Sequence, residues 1–217
     1  MTGQTSAMMA LRDPDIRLML RVRDGDQKAF AELVERYQHR LVAVMHHLVG
    51  NSQEAEDLAQ EVFLRVYRNR EKYSPTAKFA TWLFKIANNL ALNAQRNRVR
   101  RAAVSLDTNP ASSSSEWPAQ QLASSRDQPP THQLQQRELE EVIRQALNEL
   151  NERQRMAIIL NKYEDMDYQE IAAVMGLTVK AIKSLLCRAR IKLRQALEPY
   201  IQMDSTPPQP PDTNASE

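Results

Sequence analysis

Six basic residues and no acid lie between Thr178 and Arg194: Lys180, Lys183, Arg188, Arg190, Lys192 and Arg194. Helical spacing sets Lys180, Ser184, Cys187, Arg188 and Ile191 on one face, opposite an apolar stripe of Ile182, Leu185, Leu186, Ala189 and Leu193. That face suits duplex DNA. Short hydrogen-bonding side chains near a helix N-terminus can reach base edges, and cations neutralise phosphates. A solvated amphipathic helix can carry a similar charge run. Here a short helical stretch over 168–175, the turn residue Gly176 and the absence of acid together favour a helix-turn-helix. Cys187 falls on the same face and reads as a small side chain tolerated near the groove.

A second set is Trp82, Lys85, Asn89, Asn93 and Arg96, at roughly helical steps, running into Arg98, Arg100 and Arg101. Aromatics stack unpaired bases, amides read their edges and arginines hold phosphate, so this face suits single-stranded nucleic acid. Trp82 fits a core anchor equally well. Asn88 and Asn89 fit a plain surface, and their functional reading rests on their neighbours. A third set, Asp57, Gln60, Glu61, Leu64 and Arg68, shares one helical face away from the core stripe. A leucine among acids and amides can mark a partner groove, although such a face is usually only solvated.

Catalytic arrangements are missing. There is no nucleophile elbow, no Ser/His/Asp spacing, no glycine-rich phosphate loop, and only 4 glycines in 217 residues. The single cysteine and the four histidines (His39, His46, His47, His132) make no metal-ligand pattern, and one cysteine allows no intrachain disulfide. No catalytic residue, metal or cofactor is expected.

The elements that position these sets are all helical. Leu139, Val142, Ile143, Ala146, Leu147 and Leu150 make one stripe. Met156, Ile159, Leu160 and Tyr163 begin another, and Ile171, Ala172 and Met175 a third, with Thr178 the N-cap of a fourth helix. Earlier, Asp24-Gly25-Asp26 separates two helices. The second carries Phe30, Leu33, Val34, Tyr37, Leu41, Val44 and Leu48. Gly50-Asn51-Ser52 turns the chain, with Ser52 read as the cap of a helix whose stripe is Ala55, Leu58, Ala59, Val62, Phe63 and Val66. The last helix of this zone buries Leu83, Ile86, Ala87, Leu90 and Ala94. The expected fold is all-α: two small helical domains, a bundle and a helix-turn-helix, joined by a flexible linker.

Composition draws the boundaries. Residues 1–15 read as a loose arm, 16–101 as the first domain, 102–136 as a Ser/Pro-rich linker, 137–202 as the second domain and 203–217 as a disordered Pro-rich tail. The net charge of +2 is uninformative, and 42% hydrophobic with 26% charged residues suits a folded chain. No secretory h-region or membrane-length apolar segment occurs, so membrane insertion is not expected and the default location is the cytoplasm.

Together the three sets resemble bacterial RNA polymerase sigma factors of the extracytoplasmic-function class. The block EAEDLAQEVFLRVYRN (54–69) is similar to region 2.2, and KFATWLFKIANNLALNAQRNRVRR (78–101) to regions 2.3 and 2.4. The stretch 147–197 is similar to region 4. The resemblance implies a factor that binds core polymerase, reads −35 and −10 promoter elements, and helps open the promoter. Asp57, Gln60, Glu61 and Leu64 become polymerase contacts, toward the β′ clamp helices. The early part of region 4 is expected on the β-flap. Trp82, Lys85, Asn88, Asn89, Asn93 and Arg96 become −10 contacts, with the 72–78 loop shaping a pocket for a flipped base. Lys180, Lys183, Ser184 and Arg188 become −35 contacts. Core RNA polymerase and promoter DNA are the implied partners, and an anti-sigma factor is a candidate. Two features depart from the pattern: Leu185 stands where many relatives carry Arg, and the Pro-rich tail is unusual.

Three other readings compete. An operator-binding regulator explains 167–194 but leaves 54–101 idle. A recombinase or nuclease needs acidic metal ligands or a nucleophile that cannot be assembled here. A pure interaction protein would direct the basic faces to an acidic partner.

Overall fold

The computed structural model describes residues 13–104, 139 and 141–203. The elements are α1 (Pro14–Arg23), α2 (Gln27–Val49), α3 (Ser52–Arg68), a 3-10 turn (Arg70–Lys72) and α4 (Phe79–Val104). They continue with α5 over 141–148, α6 (Glu152–Lys162), α7 (Tyr168–Met175) and α8 (Val179–Met203). No strand occurs among the described residues, in line with the all-α expectation.

Local chemistry explains where the helices begin and end. Asp26 accepts the N–H groups of Lys28 and Ala29 at 2.9 and 3.1 Å and starts α2, which stops at Gly50 in the left-handed region, φ 74°. The cap of α3 is Asn51, not Ser52: its Oδ1 accepts from Glu54 N at 2.9 Å. Ser52 is the first helical residue. Capping boxes open α6 (Asn151 with Gln154) and α7 (Asp167 with Glu170). Gly176, φ 65°, ends α7, and Thr178 Oγ1 accepts from Ala181 N at the start of α8.

Several boundaries shift from the compositional ones. Residues 13–15 belong to the first helix and its cap: Asp13 is the N-cap, Pro14 sits at N1 where its missing N–H costs nothing, and Asp15 favours the N-terminal dipole. Helix α4 continues three residues past 101, and α8 reaches 203. The remainder of the expected arm, linker and tail lies outside the described residues.

Helices α1 to α4 pack as a bundle, with α2 against α1, α3 and α4. Helices α6, α7 and α8 pack on one another, and this second group lies against the first through α7 on α4 and α6 on α2. One buried core therefore runs from Leu41, Met45 and Phe84 to Ile159, Leu160, Ile171 and Ile182. Each such side chain contributes about 1.5–3 kcal/mol when fully buried. Arg155 ties the two groups. Its guanidinium donates to the carbonyls of Leu147, Asn148 and Leu150, the C-terminal end of α5, and to Leu48 O at the end of α2. The expected stripe of α5 is incomplete: Ala146, Leu147 and Leu150 are buried, but Leu139 is half exposed.

Candidate nucleic-acid interface

Helix α4 carries the second residue set, and its N-terminus is anchored from far away in sequence. Phe79 N–H donates to Asp13 Oδ2 at 3.1 Å. Beside it, Phe79 and Tyr73 are buried, and the half-buried Trp82 ring lies 4.9 Å from Tyr73 and 6.1 Å from Phe79. Trp82 thus packs as a partial anchor and stays half exposed. Burial pushes the Tyr73 hydroxyl well above its ordinary range, and its oxygen has no hydrogen-bond partner.

Lys85, Asn89, Asn93 and Arg96 are exposed and follow one another along α4. Asn88 is not with them. It is 5% exposed and faces the second helical group, lining a crevice of about 60 Å³ with Leu48, Ala91, Met156, Met175 and Leu177. The exposed row leads into a broad groove of about 1350 Å³ bordered by Asn93, Arg96, Arg100 and Arg101. Arg98 is committed elsewhere: it pairs with Glu54 and donates to Val49 O, fastening α4 to the turn before α3.

The helix-turn-helix is α7, Gly176 and α8. Lys180, Lys183 and Arg188 are exposed, and Ser184 is intermediate. Arg188 Nη2 donates to Ser184 Oγ at 2.8 Å, which orients the guanidinium along the outer face. Cys187 is exposed on the same face. The six cations are not equivalent, because Arg190 turns back to Asn161 Oδ1 at 3.1 Å, and Asn161 in turn donates to Met166 O. Arg190 joins α8 to α6, a role that charge counting missed.

On α3, Asp57, Gln60 and Leu64 are exposed, Leu64 at 49%, and Glu61 is intermediate. Arg65 pairs with Glu61 at 2.7 Å and holds its carboxyl below the usual range. Asp57 accepts from Gln53 at 3.3 Å. This face projects a large apolar side chain inside a polar rim. The three sets are thus carried by three different helices, α3, α4 and α8. Among the described residues no cluster of His, Cys, Asp or Glu could hold a metal ion, and no helix is long and apolar enough to cross a membrane.

Residues 33–101 match the family model for Sigma-70 region 2, and residues 140–193 that for Sigma-70 region 4. The RNA polymerase sigma-H factor of Pseudomonas aeruginosa is 32% identical over 194 residues, covering 89% of this chain and 99% of that protein. The ECF RNA polymerase sigma-E factor of Escherichia coli K12 is 33% identical over 186 residues, 85% of this chain and 95% of its own length. Among solved structures, the sigma factor RpoE of Bartonella quintana, in complex with the anti-sigma factor NepR, superposes with a TM-score of 0.63 at 27% identity. That match covers 79% of this chain and 98% of RpoE. With both regions matched in order and relatives aligned over almost their full length, the chain belongs to the extracytoplasmic-function sigma factors of bacterial RNA polymerase.

Proposed function

We propose that this chain lends promoter specificity to a polymerase that carries the catalytic centre, and has no catalytic site of its own. The bundle over 16–101 acts as the polymerase-binding and −10 domain, and 137–202 as the −35 domain. Leu64, with Asp57, Gln60 and Glu61 as rim, docks on core polymerase. Lys180, Lys183, Ser184 and Arg188 face duplex −35 DNA, where a bidentate base contact is worth about 1–3 kcal/mol. Lys85, Asn89, Asn93 and Arg96, with the edge of Trp82, hold the unpaired −10 strand. Stacking and amide contacts there offset an unstacking cost of a few kcal/mol. Cytoplasmic location follows from that role, and the Bartonella complex supports an anti-sigma factor as a further partner.

The observation that supports this reading is the presence of three chemically distinct, largely exposed residue sets on three helices of one scaffold, α3, α4 and α8. A lone operator-binding module needs only the α8 face. The test is run-off transcription by core polymerase with and without the chain, on DNA selected by the pair. Initiation should depend on the chain and be lost in Asn89→Ala/Arg96→Ala. DNA binding by the chain with no stimulation of polymerase would replace this reading with the operator-binding one.

A further inference from the structure

We infer that Arg98 and Glu54 are positioning residues for the −10 strand: their pair holds the protruding end of α4 in place, so that an acid beside a nucleic-acid face strengthens binding. The inference rests on the −10 assignment proposed above. Its basis is a change in what supports α4 along its length. Up to Ala91 the helix is packed, with Phe84, Ala87, Asn88, Leu90 and Ala91 buried. From Leu92 to Arg101 no residue is buried, and the outer row crosses that line. Lys85 and Asn89 lie on the packed part, Asn93 and Arg96 on the protruding one.

Left to itself, that end would fray. A helical stretch as short as 92–104, without tertiary contacts, is marginal in water. It also carries Arg96, Arg98, Arg100 and Arg101 and no acid. Arg96 and Arg100 are one turn apart, as are Arg98 and Arg101, and like charges at that spacing destabilise a helix. Among the described residues, the tie that opposes this comes from Arg98. One of its nitrogens pairs with Glu54 in the first turn of α3, and another donates to Val49 O at 3.2 Å. Val49 ends α2, so that carbonyl belongs to the negative end of a helix dipole. One guanidinium thus fastens α4 to the ends of two other helices.

Arg98 does this from the side away from the strand. Two residues separate it from Arg96, about 200° around the helix axis. Glu54 borders the same groove as Asn93 and Arg96. By charge alone it repels phosphate there. Through Arg98 its effect reverses: the end of α4 is ordered before the strand arrives, which removes an ordering cost from binding.

The test measures binding of single-stranded DNA with the −10 sequence that wild-type chain and core polymerase select, at saturating polymerase. Glu54→Gln and Arg98→Ala are compared with wild type, and each is repeated in an Asn93→Ala/Arg96→Ala background. Glu54→Gln should weaken binding about two- to fivefold, and Arg98→Ala by a similar factor, as suits a partly exposed pair. In the Asn93→Ala/Arg96→Ala background neither should have a further effect, because both act through those side chains. Hydrogen exchange of the full-length chain, read by mass spectrometry, should quicken over 92–104 in both variants and stay as in wild type over 79–91. Tighter or unchanged binding by Glu54→Gln would overturn the inference, since Glu54 would then act only as a negative charge. An undiminished loss from Arg98→Ala in the Asn93→Ala/Arg96→Ala background would overturn it too, by placing Arg98 on the strand itself. Exchange over 92–104 that does not change has the same consequence. If Asn93→Ala/Arg96→Ala binds the strand as wild type does, the −10 assignment itself fails and takes this inference with it.

Discussion

The carboxylate of Asp13 accepts two backbone N–H groups at once, that of Asp15 at 2.9 Å and that of Phe79 at 3.1 Å. One side chain therefore caps α1 and fixes the N-terminus of α4, the helix that carries the proposed −10 face. Asp13→Ala removes both bonds and should lower stability by about 1–2 kcal/mol in urea titration, where a single cap costs typically ~1 kcal/mol. Single-strand binding in the presence of polymerase should weaken too, because Trp82 lies one turn from the lost anchor. A loss in stability of less than about 0.5 kcal/mol would mean that Phe79 finds another acceptor.

Two buried tyrosines should respond oppositely to removal of the hydroxyl. Tyr37 donates to Asp15 Oδ2, and Arg36 holds the other oxygen of that carboxylate. Tyr37→Phe leaves Asp15 short of one donor and should cost about 1–2 kcal/mol. The Tyr73 hydroxyl oxygen has no partner. Tyr73→Phe should be neutral or stabilising by up to about 1 kcal/mol, since it removes a buried unsatisfied group. Thermal melts of the two variants side by side decide this, and equal losses would show that Tyr73 is hydrogen-bonded in solution.

These groups also mark what sequence reading reaches. Helical periodicity identifies Leu83, Ala87 and Leu90 as core, because one stripe per helix is the pattern of a surface helix. Phe84, Asn88 and Ala91 escape it: α4 is covered on a second side by α7, and nothing local encodes a partner more than sixty residues away. The exposed row of Lys85, Asn89, Asn93 and Arg96 was legible for the same reason, being opposite the readable stripe. Caps were legible where residue type alone decides, as at Asp26, Gly176 and Thr178. The choice of Asn51 over Ser52 required coordinates, because both are good caps and only one leaves the helix. Arg98, Arg155 and Arg190 look like ordinary cations in sequence. Their targets are backbone carbonyls, a glutamate and an asparagine on other elements, which no spacing rule reveals.

Acid should weaken the packing between the two helical groups. Burial, with His46 and Arg155 beside it, pushes the His47 imidazole from its ordinary 6.5 down to about 4. Between those values the folded chain binds fewer protons than the unfolded chain. The stability from this group is full above pH 6.5 and is lost as pH falls toward 4. His46 shifts in the same direction through burial, with Arg144 adding to it. Glu164 acts in the opposite sense: burial raises its carboxyl above 4.5 despite Arg40, so it favours folding as pH falls. The histidines should dominate above pH 5, with the melting temperature falling by roughly 3–6 °C from pH 7 to pH 5. His47→Phe keeps a ring against Tyr163 and should flatten most of that decline. An unchanged profile would place the titration elsewhere.

Cations on α8 should separate into three behaviours. Lys183 is exposed and unpaired in charge, so Lys183→Ala should weaken binding evenly across sequences and reduce the salt slope by about 1. Arg188 is oriented by Ser184, so Arg188→Ala should cost about 1–3 kcal/mol on the preferred −35 sequence and relax specificity at one position. Arg190→Ala should leave DNA affinity nearly unchanged and lower stability by about 0.5–1.5 kcal/mol, because its partner is Asn161. Anisotropy against a −35 duplex over a salt series, in the presence of core polymerase, measures all three. Loss of DNA binding in Arg190→Ala with stability intact would put that side chain on the groove.

Leu64 isolates the proposed polymerase face from the proposed DNA faces. It is 49% exposed on α3, so it contributes little to the fold, and Leu64→Asp should alter stability by no more than about 0.5 kcal/mol. At the centre of an interface the same change removes an apolar anchor and buries a charge. A loss of about 2 kcal/mol or more in affinity for core polymerase is expected, a factor of about thirty. Glu61→Gln, at the rim and already tied to Arg65, should lose far less. Single-strand binding by the free chain should be the same in wild type and Leu64→Asp, because the two sets lie on different helices, α3 and α4. Titration of labelled chain with core polymerase gives the numbers. A Leu64→Asp chain that still binds at wild-type affinity would move the docking surface off α3.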